Sequence, residues 1–215
     1  FMADVKGDVT GIAQPGDDTE NIAKRVEKFG IEDWQLEGCP TRLWDMLDDQ
    51  GIPVRITISD MGPIMLSRLL ELTEVQEGVL NIVFRVADDQ QMLLIDLKDL
   101  RAMLNYVSEH SKEIETTYGK VSSQSVGAIL RALIAIEDQG GDTFFGEPNL
   151  DLNDWFATDK NGQGYVNVLN AARLINSPQI YAMFLLWMLS ELFETLPEVG
   201  DGDKPKFVFF FDEAH

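Results

Sequence analysis

The string Lys206-Phe-Val-Phe-Phe-Phe-Asp-Glu-Ala-His215 sets two carboxylates directly behind five consecutive large apolar residues. Such a run reads as a central strand buried on both faces of a sheet, and in open α/β sheets ligands bind at the carboxyl ends of the strands. Hydrolysis of a nucleoside triphosphate needs one carboxylate there to hold hydrated Mg²⁺ and a second to orient and polarise the attacking water. Asp212 and Glu213 supply both in that order. The plainer reading is a polar stop after a buried strand. Against it stand the size of all five apolar residues, the completed Asp-Glu-Ala-His string and the Gly/Pro loop at 200–205 that feeds the strand.

A second polar group, Ala3-Asp-Val-Lys-Gly-Asp8, follows a short apolar run at the start of the chain. If that run is a neighbouring parallel strand, Asp4, Lys6, Gly7 and Asp8 face the same crevice as Asp212 and Glu213 and are candidates for binding the nucleotide. Ordinary turn chemistry explains them equally well, with Gly7 at positive φ and Asp8 bonding its own backbone. No G-x-x-x-x-G-K-[ST] string, the loop that cradles β and γ phosphates, occurs in the 215 residues. This stretch alone should therefore bind ATP poorly.

Other polar clusters carry less. Arg101 and Arg131 lie on predicted helices, where each can act in trans on a phosphate or pair with a nearby acid, and the ion pair is the favoured reading. The segment from Asp159 to Asn170 has the spacing of an EF-hand loop, but Asn170 cannot supply the bidentate carboxylate that calcium requires at position 12. Asp201-Gly-Asp203 reads as a turn. Met183, Phe184, Trp187 and Met188 are spaced around all sides of one helix, which predicts a core helix covered on both sides.

The elements that position the acidic pair follow from periodicity and caps. A helix is expected over 19–29 with Gly30 as its C-cap, and a hairpin from the runs at 41–46 and 52–59. From 61 to 160 helical periodicity dominates. Pro63 opens one helix, Thr73-Glu-Val-Gln76 is a capping-box signature, Asp96 can cap 97–107, and another helix spans 123–137. A strand at 165–169, a helix capped by Ser177 with Pro178 at its first position, and the strand at 207–211 form a βαβ unit with parallel strands. The expected fold is α/β, with a parallel-sheet core from 1–60 and 161–215 interrupted by a helical insertion at 61–160.

Composition limits the partners. There are 37 acidic and 17 basic residues, for a formal net charge of -20. The surplus is spread through the chain, since residues 1–60 alone carry 13 acids against 6 bases. Tight binding to a polyanion must then rest on a few local bases or on backbone N–H groups. The lone Cys39 permits no intrachain disulfide, which favours a reducing, cytoplasmic setting. The longest apolar run, Ile180 to Leu189, is ten residues, about half of a membrane span.

Several stretches together resemble the bacterial HerA-like ATPases of the HerA/FtsK class: Ala3-Asp-Val-Lys-Gly-Asp8, Pro53-Val-Arg-Ile-Thr-Ile-Ser-Asp-Met-Gly-Pro63, Leu94-Ile-Asp-Leu-Lys-Asp-Leu-Arg101, Phe144-Phe-Gly-Glu-Pro148, and Phe184 through His215. The resemblance implies a RecA-like P-loop NTPase core whose Walker B strand is 207–211, with ATP and Mg²⁺ as cofactors. It implies a phosphate-binding loop shortly before Phe1, assembly as a hexamer and DNA as the partner of the intact protein. It also implies that His215 couples nucleotide state to the bound polymer. The rival expectation is a non-catalytic acidic helical module with an incidental acidic pair.

Overall fold

The computed structural model describes all residues except Asp48, Asp49, Pro197, Val199, Asp201, Asp203 and 212–215, and describes Ile175 by its backbone alone. Its centre is a five-stranded, all-parallel sheet with the order β3-β2-β4-β1-β5. The strands are β1 (Met2–Asp4), β2 (Thr41–Asp45), β3 (Ile52–Pro53), β4 (Val166–Asn170) and β5 (Phe210–Phe211). The long excursion between β3 and β4 is helical: α2 (Ile58–Leu69), α3 (Glu74–Asp89), α4 (Leu97–Glu109), α5 (Ser111–Tyr118), α6 (Ser123–Glu137) and the single turn α7 (Gly141–Phe144). Helix α1 (Glu20–Phe29) lies between β1 and β2, and α8 (Pro178–Thr195) links β4 to β5 across β1.

The helix ends follow the local chemistry. Thr19 accepts from the Ile22 amide and Gly30 closes α1 at φ 61°. Thr73 and Gln76 form the reciprocal box that starts α3, and Asp96 accepts from the amides of Lys98 and Asp99 while the Asp99 carboxylate accepts from those of Ile95 and Asp96. At Ser177 the expected cap is absent, because its Oγ donates instead to the Gln139 carbonyl (2.7 Å), tying the start of α8 to the end of α6.

The expected hairpin is not formed. β2 and β3 run parallel, with Trp44 opposite Ile52 and Asp45 opposite Pro53. Parallel neighbours normally need a long crossover. Here β3 overlaps only the last two residues of β2, so the connection need not travel back along the whole strand. Nor does the second run stay extended: the Thr57 hydroxyl accepts from the Asp60 amide and α2 begins at Ile58, four residues before Gly62 (φ 70°) kinks it and Pro63 restarts it. β-branched alternation at 52–59 imitated a strand that a threonine cap overrides.

One hydrophobic core joins the sheet to the helices. Its sheet row is Ala3, Leu169 and Trp44, which lie opposite one another in register and are at most 3% exposed. Trp155, on the 3-10 turn Leu152–Phe156, packs over this row. It stacks on Phe1 (centroids 4.8 Å) and Phe207 (6.2 Å), and meets Trp44 and Phe184 at angles. Asn167, fully buried in β4, accepts from the Trp44 indole (2.9 Å) and donates to the Trp155 carbonyl (3.1 Å).

Two expectations of complete burial fail. β5 has one strand neighbour among the described residues, and Val208, Phe210 and Phe211 are exposed while Phe207 and Phe209 pack inward. Both residues of β5 are exposed, so the described strand is not covered on both faces. On α8, Met183, Phe184, Trp187, Met188 and Leu192 are buried, but Leu186, Leu189 and Phe193 form an uncovered stripe.

Replacing Asn167 by Ala leaves an indole N–H and a carbonyl buried without partners, at about 1–3 kcal/mol each. Urea unfolding followed by circular dichroism should show a lower midpoint with an unchanged slope.

Candidate functional site at the carboxyl edge of the sheet

Because all five strands run the same way, their carboxyl ends share one edge. Register aligns three polar residues there: Asp4 of β1 lies opposite Asn170 of β4, and Asn170 lies opposite Asp45 of β2. Each follows a pair of apolar residues that anchors its strand: Met2-Ala3, Val168-Leu169 and Leu43-Trp44. The polar atom therefore emerges where the strand leaves the core. Asp4 and Asp45 are 1% and 3% exposed, and the Asn170 amide donates to the Asp45 carboxylate at 3.1 Å.

A cavity of about 330 Å³ opens beside this row, lined by Asp4, Gly7, Thr10, Gln50, Asn170 and Arg173 over a floor of Leu43, Trp44 and Val168. Asp45, Thr10, Gln50 and Arg173 were not among the residues singled out from the sequence, and Asn170 was weighed there only as a position of the calcium-like loop. The signal that finds the first two is the repeated pattern of an apolar pair followed by Asp or Asn. It marks the ends of three strands, and Phe210-Phe211-Asp212 repeats it in sequence.

Asp4 builds the turn that follows β1. One carboxylate oxygen accepts from the Gly7 amide (2.7 Å) and the other from the Val9 amide (3.1 Å), while Gly7 takes φ 77°, a conformation costly for a residue with a Cβ. The turn chemistry foreseen for this segment is thus carried by Asp4, not by Asp8, which makes no side-chain cap. Lys6, Gly7 and Asp8 are exposed on that turn, with Gly7 at the cavity. The catalytic candidates Asp212 and Glu213, and also His215, lie outside the described residues. β5 reaches to the residue before them, with Met2 opposite Phe210 and Ala3 opposite Phe211.

Of the remaining candidates, one is engaged in an ion pair. Arg101 pairs with Glu137, bracing α4 against α6, and Arg131 is exposed on α6. In the EF-hand-like loop, one Asp159 oxygen accepts from the amides of Asn161 and Gln163, both at 2.8 Å, and Asn170 is occupied at the strand row. Among the described residues no three His, Cys, Asp or Glu side chains converge to hold a metal ion, and no helix is long and apolar enough to cross a membrane.

The fold is mixed α/β with a parallel sheet and helical insertions, and it is consistent with a P-loop NTPase-like architecture. The model of the helicase HerA-like C-terminal family matches residues 1–215, and the chain belongs to that family. No curated protein matches it.

Asp4→Ala removes the acceptor for two amides, and charge-assisted bonds of this kind are worth about 1.5–3 kcal/mol each. Hydrogen exchange should quicken across residues 5–13 while α3 and α6 keep their protection.

Proposed function

We propose that this chain supplies the metal-holding and water-activating edge of an ATP-hydrolysing motor, with Asp212 binding Mg²⁺ through water and Glu213 acting on the attacking water. The observation that carries the reading is the parallel register of β1 and β5: Ala3 lies opposite Phe211, and the next residues in sequence are Asp4 and Asp212. If the pairing runs one residue further, Asp212 joins the row of Asp4, Asn170 and Asp45, and Glu213 follows it out of the sheet. In this reading 1–60 and 161–215 form the core and 61–160 the insertion.

The residues present fit the cofactor in part. Each Asp4 oxygen accepts from one backbone amide, which fixes the turn at the cavity and leaves each oxygen a further lone pair. Mg²⁺ is commonly held by one or two carboxylates together with waters and phosphates, which a single Asp212 satisfies. When bound, the ion neutralises charge on the phosphates during transfer. The phosphate cradle must come from a Gly-rich loop on another stretch of polypeptide.

Family membership supports action on DNA as a ring of subunits, in the cytoplasm. With a net charge of -20, the contact with DNA rests on local bases and backbone amides, and it should weaken as salt rises, with a slope set by the few phosphates those bases neutralise.

For the intact protein, Glu213→Gln should lower ATP turnover by roughly 100-fold or more, the usual contribution of a positioned base. Asp212→Asn should raise the Mg²⁺ concentration needed for half-maximal rate. Equal rates for wild type and Glu213→Gln would instead leave a non-catalytic acidic module.

A further inference from the structure

The strand order places the switch point of the sheet between β1 and β4. From β1 the chain crosses β4 to reach β2, and from β4 it crosses β1 to reach β5, so the two connections leave adjacent strand ends in opposite directions. Right-handed crossovers that run in opposite directions lie on opposite faces of a sheet, and neither fills the space between the two strand ends. The cavity of about 330 Å³ occupies that space. Gly7 and Thr10 reach it from the β1 connection, Ala172 and Arg173 from the β4 connection, and Asp4 and Asn170 end the two strands. Its size falls at the lower end of the range of small-molecule sites, about 300–1,000 Å³.

The lining suits hydroxyl groups. The Asp4 carboxylate can only accept, and beyond the amides of Gly7 (2.7 Å) and Val9 (3.1 Å) each oxygen keeps a lone pair. Asn170 is held in one orientation, donating to Asp45 (3.1 Å) and accepting from the Ala172 amide (3.3 Å), and it retains a second N–H. Thr10, Gln50 and Arg173 add donors at the exposed rim. A hydroxyl both donates and accepts, so two hydroxyls on neighbouring carbons satisfy a carboxylate and the amide, hydroxyl or guanidinium donors beside it. Leu43 and Val168 alternate with the core residues Trp44 and Leu169, and so form an apolar floor on the opposite face of the sheet. With Asp4 and Asp45 in the row and Arg173 at the rim, the crevice carries no surplus of positive charge, which disfavours a polyphosphate.

We propose that the crevice between β1 and β4 binds a small ligand through a vicinal diol of the kind a ribose ring carries. One hydroxyl donates to Asp4, the other accepts from Asn170 or the donors of the rim, and the sugar ring lies over Leu43 and Val168. The strand β1 separates this site from the carboxylate pair assigned to ATP hydrolysis, since that pair follows β5. Occupancy needs neither Mg²⁺ nor Glu213, and the proposal does not rest on the ATPase reading.

The test is calorimetric titration of the full chain, without Mg²⁺, with adenosine, 2′-deoxyadenosine and methyl β-riboside. Adenosine should bind at least about tenfold more tightly than 2′-deoxyadenosine, the loss expected with one hydrogen bond to a charged group. The riboside identifies the source of the diol: affinity equal to that of adenosine marks a free sugar, and weaker or absent binding marks a nucleoside whose base extends along the floor. Leu43→Trp fills the crevice from a partly exposed position and should abolish binding. Thr10→Val, on the exposed turn, should weaken it about threefold without touching a strand. Thr116→Val on α5 should leave it unchanged. Equal binding of the two nucleosides, no binding of adenosine or the riboside at millimolar concentration, or unchanged binding in both crevice variants would each overturn the proposal. So would loss of adenosine binding in Asp212→Asn, which would move the ligand to the ATP site.

Discussion

The fold depends on how Trp155 is held. Its ring lies between Phe1 at the start of β1 and Phe207 ahead of β5, and it touches Trp44 of β2 and Phe184 of α8. One side chain thus joins three strand regions and the crossover helix, although it belongs to a short 3-10 turn. Aromatic pairs of this geometry contribute about 0.5–1.5 kcal/mol each beyond the area they bury. Asn167 ties the backbone under that ring to the indole of Trp44, which fixes the two tryptophans relative to each other.

That constraint sets the functional edge as well. With the core row Ala3, Leu169 and Trp44 locked in register, the residues one step further, Asp4, Asn170 and Asp45, can only form a row at the carboxyl end of the sheet. A slip of one residue in any strand would turn its polar end toward the opposite face and break the row. Packing in the core therefore aligns the polar groups.

Much of this was legible in the sequence, and the misses have physical causes. The caps at Gly30, Thr73 and Asp96, Pro178 at the start of α8, and the parallel relation of β4 and β5 follow from local patterns that the structure keeps. The hairpin failed because alternation does not report strand direction and because Thr57 starts a helix inside the alternating run. The role of Ser177 was misplaced because a hydroxyl beside a helix can satisfy a distant carbonyl as easily as a near amide. Asp45 was passed over and Asn170 was read only within the calcium-like loop, because only strand register makes them neighbours.

The exposure of β5 and α8 belongs with the charge. Phe210, Phe211, Leu186, Leu189 and Phe193 are the apolar surfaces that sequence pattern would bury, and an open edge strand bearing large apolar side chains invites non-specific pairing. A surplus of acids distributed along the whole chain opposes such non-specific pairing at long range, while a surface with bases at matching positions is attracted. The same charge that makes close contact with DNA costly thus makes exposed apolar surface tolerable. It restricts tight contacts to surfaces where cations, or backbone amides standing in for them, are supplied locally.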